Sequence, residues 1–350
     1  MEKIFPSRVP KNSRCLITGA SGFIGSHLAA ALAAAGNEVA CLVRSSSRTD
    51  FLSSLPVRLV SGDCRDRGSL RAAVSGADYI FHLAGVISAV DRKTFFAVNS
   101  GGTKNLVEAC LEWNPSLRRL VYVSSIAAAG PSPRGHSVSE TAECSPVSDY
   151  GRSKLEAELV VRGIGNALPW VIVRPPNVLG PRQKELEESI GLLRLRIRPL
   201  VGRKSSRTSI IGVWDLVRAL LLVAGDDRAI GRTYFVTDGT PVSWRDITAA
   251  VARAAGVSGF YLPVPFPVQY AAAAVAEWIA RWRKRTPPFT REHVVAARKH
   301  DWVYDPGAIL SDLGFRGEMD LTGVAAQTIA ARSHKGTGVT AQLERTNGHG

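Results

Sequence analysis

Short β-branched and apolar runs alternate with longer stretches of helical spacing from Cys15 to about Val123. That alternation predicts repeated strand-helix-strand units joined into a parallel sheet. The runs Arg14 to Thr18, Glu38 to Val43, Val57 to Ser61, Tyr79 to Leu83 and Arg119 to Ser124 read as strands. Gly25 to Ala35, Ser69 to Val74 and Gly102 to Glu112 carry apolar positions at helical intervals and read as the helices between them. A second set follows, with a helix over about Ser148 to Gly163, strands at Trp170 to Arg174, Ser209 to Val213 and Tyr234 to Thr237, and a helix opening near Trp214. The expected fold class is α/β: a doubly wound parallel sheet with a smaller, mostly helical C-terminal substrate lobe. The sheet domain is expected over residues 1–180, with the strands near 209–213 and 234–237 returning to it, and the interleaved lobe over 181–332. Residues 333–350 are polar and Gly-rich without periodicity, which predicts a disordered tail.

Composition narrows the class of protein. The chain has 350 residues, 45% of them hydrophobic and 21% charged, which excludes a disordered, collagen-like or coiled-coil protein. A net charge of +14 favours anionic cofactors, phosphorylated substrates, nucleic acid or anionic lipid. The dense basic cluster, Arg281, Arg283, Lys284 and Arg285, comes with no helix-turn-helix, zinc-finger or RNA-recognition signature, so nucleic-acid binding is not expected. The cysteines Cys15, Cys41, Cys64, Cys110 and Cys144 are widely spaced, which predicts neither a disulfide framework nor a metal site. With no apolar leader at the N-terminus, a cytoplasmic protein is expected. The uncharged stretch from Ala254 to Ala276 is broken by Pro263, Pro265 and Pro267 and is not a membrane span. Val268 to Arg285 sets Trp278, Ile279 and Trp282 beside basic residues. That pattern fits peripheral membrane contact, but a lobe helix with a solvated basic end is the favoured reading.

Candidate chemistry collects at the ends of the predicted strands. The first strand runs into Thr18-Gly19-Ala20-Ser21-Gly22-Phe23-Ile24-Gly25, just before an Ala-rich helix. Such glycines permit a tight turn, so that a pyrophosphate can rest on the helix N-terminus. The second strand ends in Arg44, followed by Ser45, Ser46, Ser47 and Arg48, where an acidic residue would favour NAD. A guanidinium and hydroxyls there favour NADP over NAD, a solvated basic loop being the alternative. Tyr150 and Lys154 share one helix face, and a lysine ammonium beside a phenol is expected to lower a pKa that is ordinarily about 10. Ser124-Ser125 sits at the C-terminal end of a preceding strand, the edge where doubly wound folds bind ligands. His82 has no partner at metal-ligand spacing and reads as structural.

With these residues in place, the chain resembles the extended branch of the short-chain dehydrogenase/reductase superfamily, which includes nucleotide-sugar epimerases, 3β-hydroxysteroid dehydrogenases and dihydroflavonol reductases. The resemblance runs from Cys15 to about Arg332. It is carried by the Thr18-to-Gly25 loop, Gly62-Asp63, His82-Leu83-Ala84-Gly85, Val98-Asn99, Ser124-Ser125, Tyr150 with Lys154, and Arg174-Pro175. It implies a Rossmann-type fold and a cofactor whose adenine meets Asp63 and the backbone of Cys64. The ribose and phosphates would follow Leu83, Ala84 and Gly85, and the nicotinamide amide would meet the backbone beyond Arg174-Pro175. It further implies Ser125 as the hydroxyl that holds the substrate oxygen, Tyr150 as proton donor or acceptor, and Lys154 as the partner of Tyr150 and of the nicotinamide ribose. A homodimer built from the helices near Gly102 to Glu112 and Ser148 to Gly163 is implied as well.

Departures from the subfamily patterns discriminate among reactions. Sugar 4,6-dehydratases carry an Asp-Glu pair directly after the catalytic hydroxyl residue, whereas Ile126-Ala127 stands here. Many epimerases carry a phosphate-binding Arg where this chain has Thr208, with Arg207 one residue away. Tyr234 to Gly239 and the Pro-rich stretch Leu262 to Pro267 are more similar to the hydroxysteroid and dihydroflavonol side. The expectation is therefore hydride transfer between a nicotinamide and a hydrophobic, sterol-like or dihydroflavonol-like secondary alcohol or ketone. A nucleotide-sugar epimerase is the alternative. A silent cofactor-binding sensor ranks last because both Tyr150 and Lys154 are present.

Overall fold

A strand covered on both faces must bury every side chain, odd and even alike. Four central strands do this, but for Arg14 at the start of the first: β1 (Arg14–Thr18), β4 (Tyr79–His82), β5 (Arg119–Val123) and β6 (Trp170–Arg174). They alternate between two apolar clusters, so that Ile17, Phe81, Val121 and Val173 enter one while Leu16, Ile80, Leu120 and Ile172 enter the other. The outer strands are β2 (Glu38–Val43), β3 (Arg58–Ser61) and β11 (Thr233–Phe235). In the computed structural model the seven form one parallel sheet, ordered β11-β6-β5-β4-β1-β2-β3. The structure describes residues 8–89, 91–183, 197–200, 206–258, 260–283, 290–292, 294–295 and 300–333. Most of the tail expected to be disordered, 334–350, lies outside these, as do Lys284 and Arg285.

Helices cover both faces, as the doubly wound reading required. The first cluster takes in α1 (Phe23–Ala34), α7 (Val213–Gly225) and Ile309 and Leu313 of α10 (Gly307–Leu313). The second takes in α2 (Arg67–Val74), α4 (Gly102–Trp113) and α6 (Asp149–Arg162). Between α3 (Arg92–Phe95) and α4 the chain makes a π-helical turn, Phe96–Gly101, and α5 (Ile126–Ala129) is a single turn. The C-terminal region adds α8 (Trp244–Ala254), α9 (Phe266–Trp282) and α11 (Leu321–Ser333).

One strand goes elsewhere than expected. The segment near 234–237 returns to the large sheet as β11, but β10 (Ile210–Gly212) pairs with β7 (Asn177–Leu179) in a separate parallel ribbon. Pro175 and Pro176 carry no N–H, so the β6 ladder stops at Arg174 and the chain leaves the sheet before β7 begins. Two further ribbons join β9 (Arg207–Thr208) to β12 (Val242–Ser243) and β8 (Ile197–Leu200) to β13 (Phe260–Pro263).

His82 closes β4 as a structural residue. Its Nδ1 is hydrogen-bonded to Thr18 Oγ1 at 2.6 Å and its Nε2 to Thr103 Oγ1 at 2.9 Å, which ties β1, β4 and α4 together. Burial, with the Lys154 charge nearby, lowers its pKa from 6.5 to about 3. The unfolded chain therefore takes up a proton before the folded one, and the stability held above the unfolded value is lost as pH falls from 6.5 toward 3. Urea unfolding across this window should show the loss, and His82→Gln should make it shallower by about 1.4 kcal/mol per pH unit.

Candidate active site

All seven motifs lie at the C-terminal edge of the sheet, around the reversal of strand order between β1 and β4. That is where ligands of doubly wound folds sit. Gly19 adopts φ +73°, and a Cβ there would stand 2.7 Å from the Ala84 nitrogen and the Leu83 carbonyl carbon, so only glycine lets the two loops touch. Gly22 is the N-cap of α1 and offers no side-chain cap. The N–H groups that open the helix at Phe23, Ile24 and Gly25 thus form a cradle suited to a phosphate anion. Leu83-Ala84-Gly85 forms the facing wall, with the Ala84 amide donating to Thr18 Oγ1 at 3.2 Å.

At the end of β2, the Arg44 amide donates to Ser47 Oγ (3.0 Å) and the Ser47 amide returns to the Arg44 carbonyl (2.9 Å). This tight loop leaves the Arg44 side chain exposed beside Asp63. Asp63 is itself paired with Arg65 (2.7 Å), whose hydrogen bonds hold the carboxyl below its ordinary range. Cys64 is buried, and burial pushes its thiol up to about 12. Its carbonyl accepts from Asn105 Nδ2 at 2.8 Å.

Ser125, Tyr150 and Lys154 come together beyond the end of β5. Ser125 caps α5 by accepting from the Ala127 amide at 3.1 Å, and its hydroxyl lies beside the half-buried Tyr150 phenol. A Cβ on Gly151 would lie 2.3 Å from the Ala127 carbonyl oxygen, so glycine is what lets α5 seat against the first turn of α6. Ser124 is excluded from this role because its hydroxyl donates to Glu158 Oε1 at 2.6 Å. Lys154 Nζ donates to the Val123 carbonyl at 2.7 Å and lies over the Tyr122 ring. The phenol is therefore not depressed by the lysine as expected. Its buried surroundings raise it, the neighbouring Ser125 hydroxyl opposing, while burial lowers Lys154 to about 7 against the pull of Glu158.

Glu158 and Asn99 support the site in ways that motif reading missed. Glu158, fully buried, accepts from Ser124, from Arg174 Nε (2.8 Å) and Nη2 (2.7 Å), and from Arg162 Nη2 (2.9 Å). Its signal was available: it falls one helical turn beyond Lys154 on the same face as Tyr150. Asn99, on the π-helical turn, accepts from the Val86 amide (2.8 Å) and donates to the Val86 carbonyl (3.1 Å) and to Ser153 Oγ (2.9 Å). It fastens the loop after β4 to α6. The Pro175 carbonyl accepts from the Ile126 amide (3.1 Å), which ties the end of β6 to the turn after Ser125.

The family model described as the NAD dependent epimerase/dehydratase family matches residues 15–236, the span that carries this whole constellation. The chain belongs to that family. It is an NAD(P)-dependent dehydrogenase, reductase or epimerase of the extended short-chain type. A 3 beta-hydroxysteroid dehydrogenase/Delta 5-->4-isomerase of Mycobacterium tuberculosis is 31% identical over 265 residues, 69% of this chain and 70% of that protein. A ceramide reductase of Caulobacter vibrioides is 31% identical over 277 residues, 75% and 77% of the two chains. Among solved structures, the Thermus thermophilus UDP-glucose 4-epimerase in complex with NAD superposes with a TM-score of 0.74 at 25% identity, covering 92% of this chain and 99% of its own. An extended short-chain enzyme of this family is expected to use an NAD(P) cofactor, and the glycine cradle fits its pyrophosphate.

Removing one partner of a buried ion pair leaves the other charge uncompensated. Glu158→Gln should accordingly cost about 3 to 5 kcal/mol in urea unfolding, whereas Glu156→Gln, whose carboxylate accepts from Ser100 Oγ near the surface of the same helix, should cost far less.

Proposed function

We propose that this enzyme interconverts a hydrophobic secondary alcohol and its ketone, with NADP as the favoured cofactor. The observation that carries the reading is the Ser125 hydroxyl set beside a half-buried Tyr150 phenol whose proton is held more tightly than usual. When bound, the nicotinamide supplies the hydride chemistry. The protein supplies position and the proton: Ser125 orients the substrate oxygen, and Tyr150 gives that oxygen a proton in reduction or takes it in oxidation. A phenol raised by burial stays protonated at neutral pH, which suits ketone reduction, while oxidation needs the phenolate and gains as pH rises. Lys154 would hold the nicotinamide ribose, its pKa lowered to about 7 by burial.

Two relatives act, by their names, on a hydroxysteroid and a ceramide, which supports an apolar substrate class. The place where many epimerases hold a phosphate-binding arginine also supports it. Thr208 is buried there and accepts from Asn177 Nδ2 at 2.9 Å, while the exposed Arg207 donates to the Pro241 carbonyl at 3.2 Å. The dimer proposal rests on exposed Leu111 of α4 and Leu159 of α6. The cytoplasmic proposal rests on five free cysteines.

Nicotinamide absorbance, followed against hydroxysteroids, other apolar secondary alcohols and UDP-sugars, decides the reaction. Net reduction of the cofactor by an apolar alcohol, faster at higher pH and abolished in Tyr150→Phe with cofactor binding retained, is the expected result. Epimerisation of a UDP-sugar without net reduction would overturn it. For the cofactor, Arg44→Ala should weaken NADPH by about tenfold or more while leaving NADH nearly unchanged in paired titrations, since a guanidinium-phosphate pair is lost only from the former. Equal losses would remove the NADP preference.

A further inference from the structure

Helix α9 is amphipathic in the inverse sense to a lobe helix. Its inward face is small, with Ala273 and Ala280 buried, and its large apolar side chains point outward. Val268 (55% exposed), Val275 (55%), Trp278 (69%) and Trp282 (76%) join exposed Ile279, Ala271 and Ala272 at helical intervals along one side. Monomeric proteins rarely leave so continuous an apolar stripe in water, so this face is built to be covered.

We propose that α9 lies in the plane of an anionic lipid bilayer, with this stripe in the acyl boundary and its C-terminal end against the headgroups. Charge selects lipid over another apolar surface. The sequence around the end of the helix reads Arg281-Trp282-Arg283-Lys284-Arg285, and Arg283, whose side chain the structure describes, is exposed beside the outermost tryptophan. Glu277 is the one acidic residue within Phe266–Trp282, and it is withdrawn from the surface field. Its carboxylate accepts from the Arg291 amide (2.7 Å) and from Arg291 Nε (2.9 Å). Indole rings favour the water-lipid boundary, and guanidinium groups reach from it to phosphates. The stripe ends in both, on a chain of net charge +14. The helix covers 17 residues and no described helix is long and apolar enough to span, so the contact is interfacial and reversible. This surface stands whatever the substrate of the sheet-edge site.

The test is flotation of the full chain with phosphatidylcholine vesicles, with and without phosphatidylglycerol, alongside the double variant Trp278→Ala/Trp282→Ala and the variant Arg283→Glu. The expected result is flotation with the anionic vesicles, weakened by salt, and an apparent affinity reduced by about tenfold or more in the double variant and by a smaller factor in Arg283→Glu. These positions are exposed, so cofactor titration and thermal melting should match the parent protein. Quenching of tryptophan fluorescence by brominated lipid should be lost in the double variant. Equal flotation of parent and double variant would overturn the proposal. So would absence of flotation, including the case in which sedimentation shows that the double variant breaks a dimer made through this face.

Discussion

A carboxylate removed from water must be matched by donors, and Glu158 is matched by a serine and two arginines drawn from α6 and the ends of two neighbouring strands. Ser124 comes from the end of β5, Arg174 from the end of β6 and Arg162 from the last turn of α6 itself. These bonds leave α6 one rotation about its axis. Tyr150, Lys154 and Glu158 occupy successive turns of one face, so the rotation that buries Glu158 also turns the phenol toward Ser125 and the ammonium toward Val123. The chemistry at the front of the helix is thus held by an ion pair at its back.

The same sheet edge serves two kinds of recognition. Around β1 and α1 it presents backbone, in a loop kept narrow by the contact of Gly19 with Leu83 and Ala84. Around β5 and α6 it presents side chains. Asn99 joins the two halves, because its amide holds Val86 on one side and Ser153 on the other, and the Ser153 hydroxyl donates to the Tyr150 carbonyl at 2.7 Å. An ordinary α-helical turn would place that amide differently, which gives the π-helical turn over Phe96–Gly101 a physical reason to exist.

The central sheet was legible in sequence because both of its faces are covered. Near-continuous apolar runs such as Leu120 to Val123 and Val171 to Val173 have few alternatives to a buried strand. Strands of two to four residues, such as β9, β12 and β8, carry too few positions for a period, and the prolines after Arg174 redirected β7 and β10 into their own ribbon. Ser125, Tyr150 and Lys154 were legible as motif residues, and the structure gathers them. The direction of the Tyr150 shift was not, because it depends on where Lys154 Nζ points and on how deeply the phenol is set, and neither is written in spacing. Glu158 carried a periodic signal that passes unnoticed unless a charge on a buried helix face is asked for its partner.

Net charge, too, means less in sequence than in structure. Asp226 binds both Arg8 and Arg228, while Arg119 donates to the Asp226 carbonyl (3.0 Å) and pairs with Asp227 (2.8 Å). Together they fix the end of α7 against β5 and the start of the described chain. Arg218 holds Asp215 (2.6 Å), and Arg232 holds Asp312 (2.9 Å), which joins β11 to α10. Arginines of this kind act as cross-links, and each is cancelled by its carboxylate in the net charge of +14. Where the unmatched cations sit decides which external anion each can attract. Exposed Arg44 and Arg48 follow β2 at the sheet edge, and exposed Arg283 follows the apolar stripe of α9. A total of +14 could not distinguish a phosphate from a lipid headgroup; the placement of these few side chains gives each its own address.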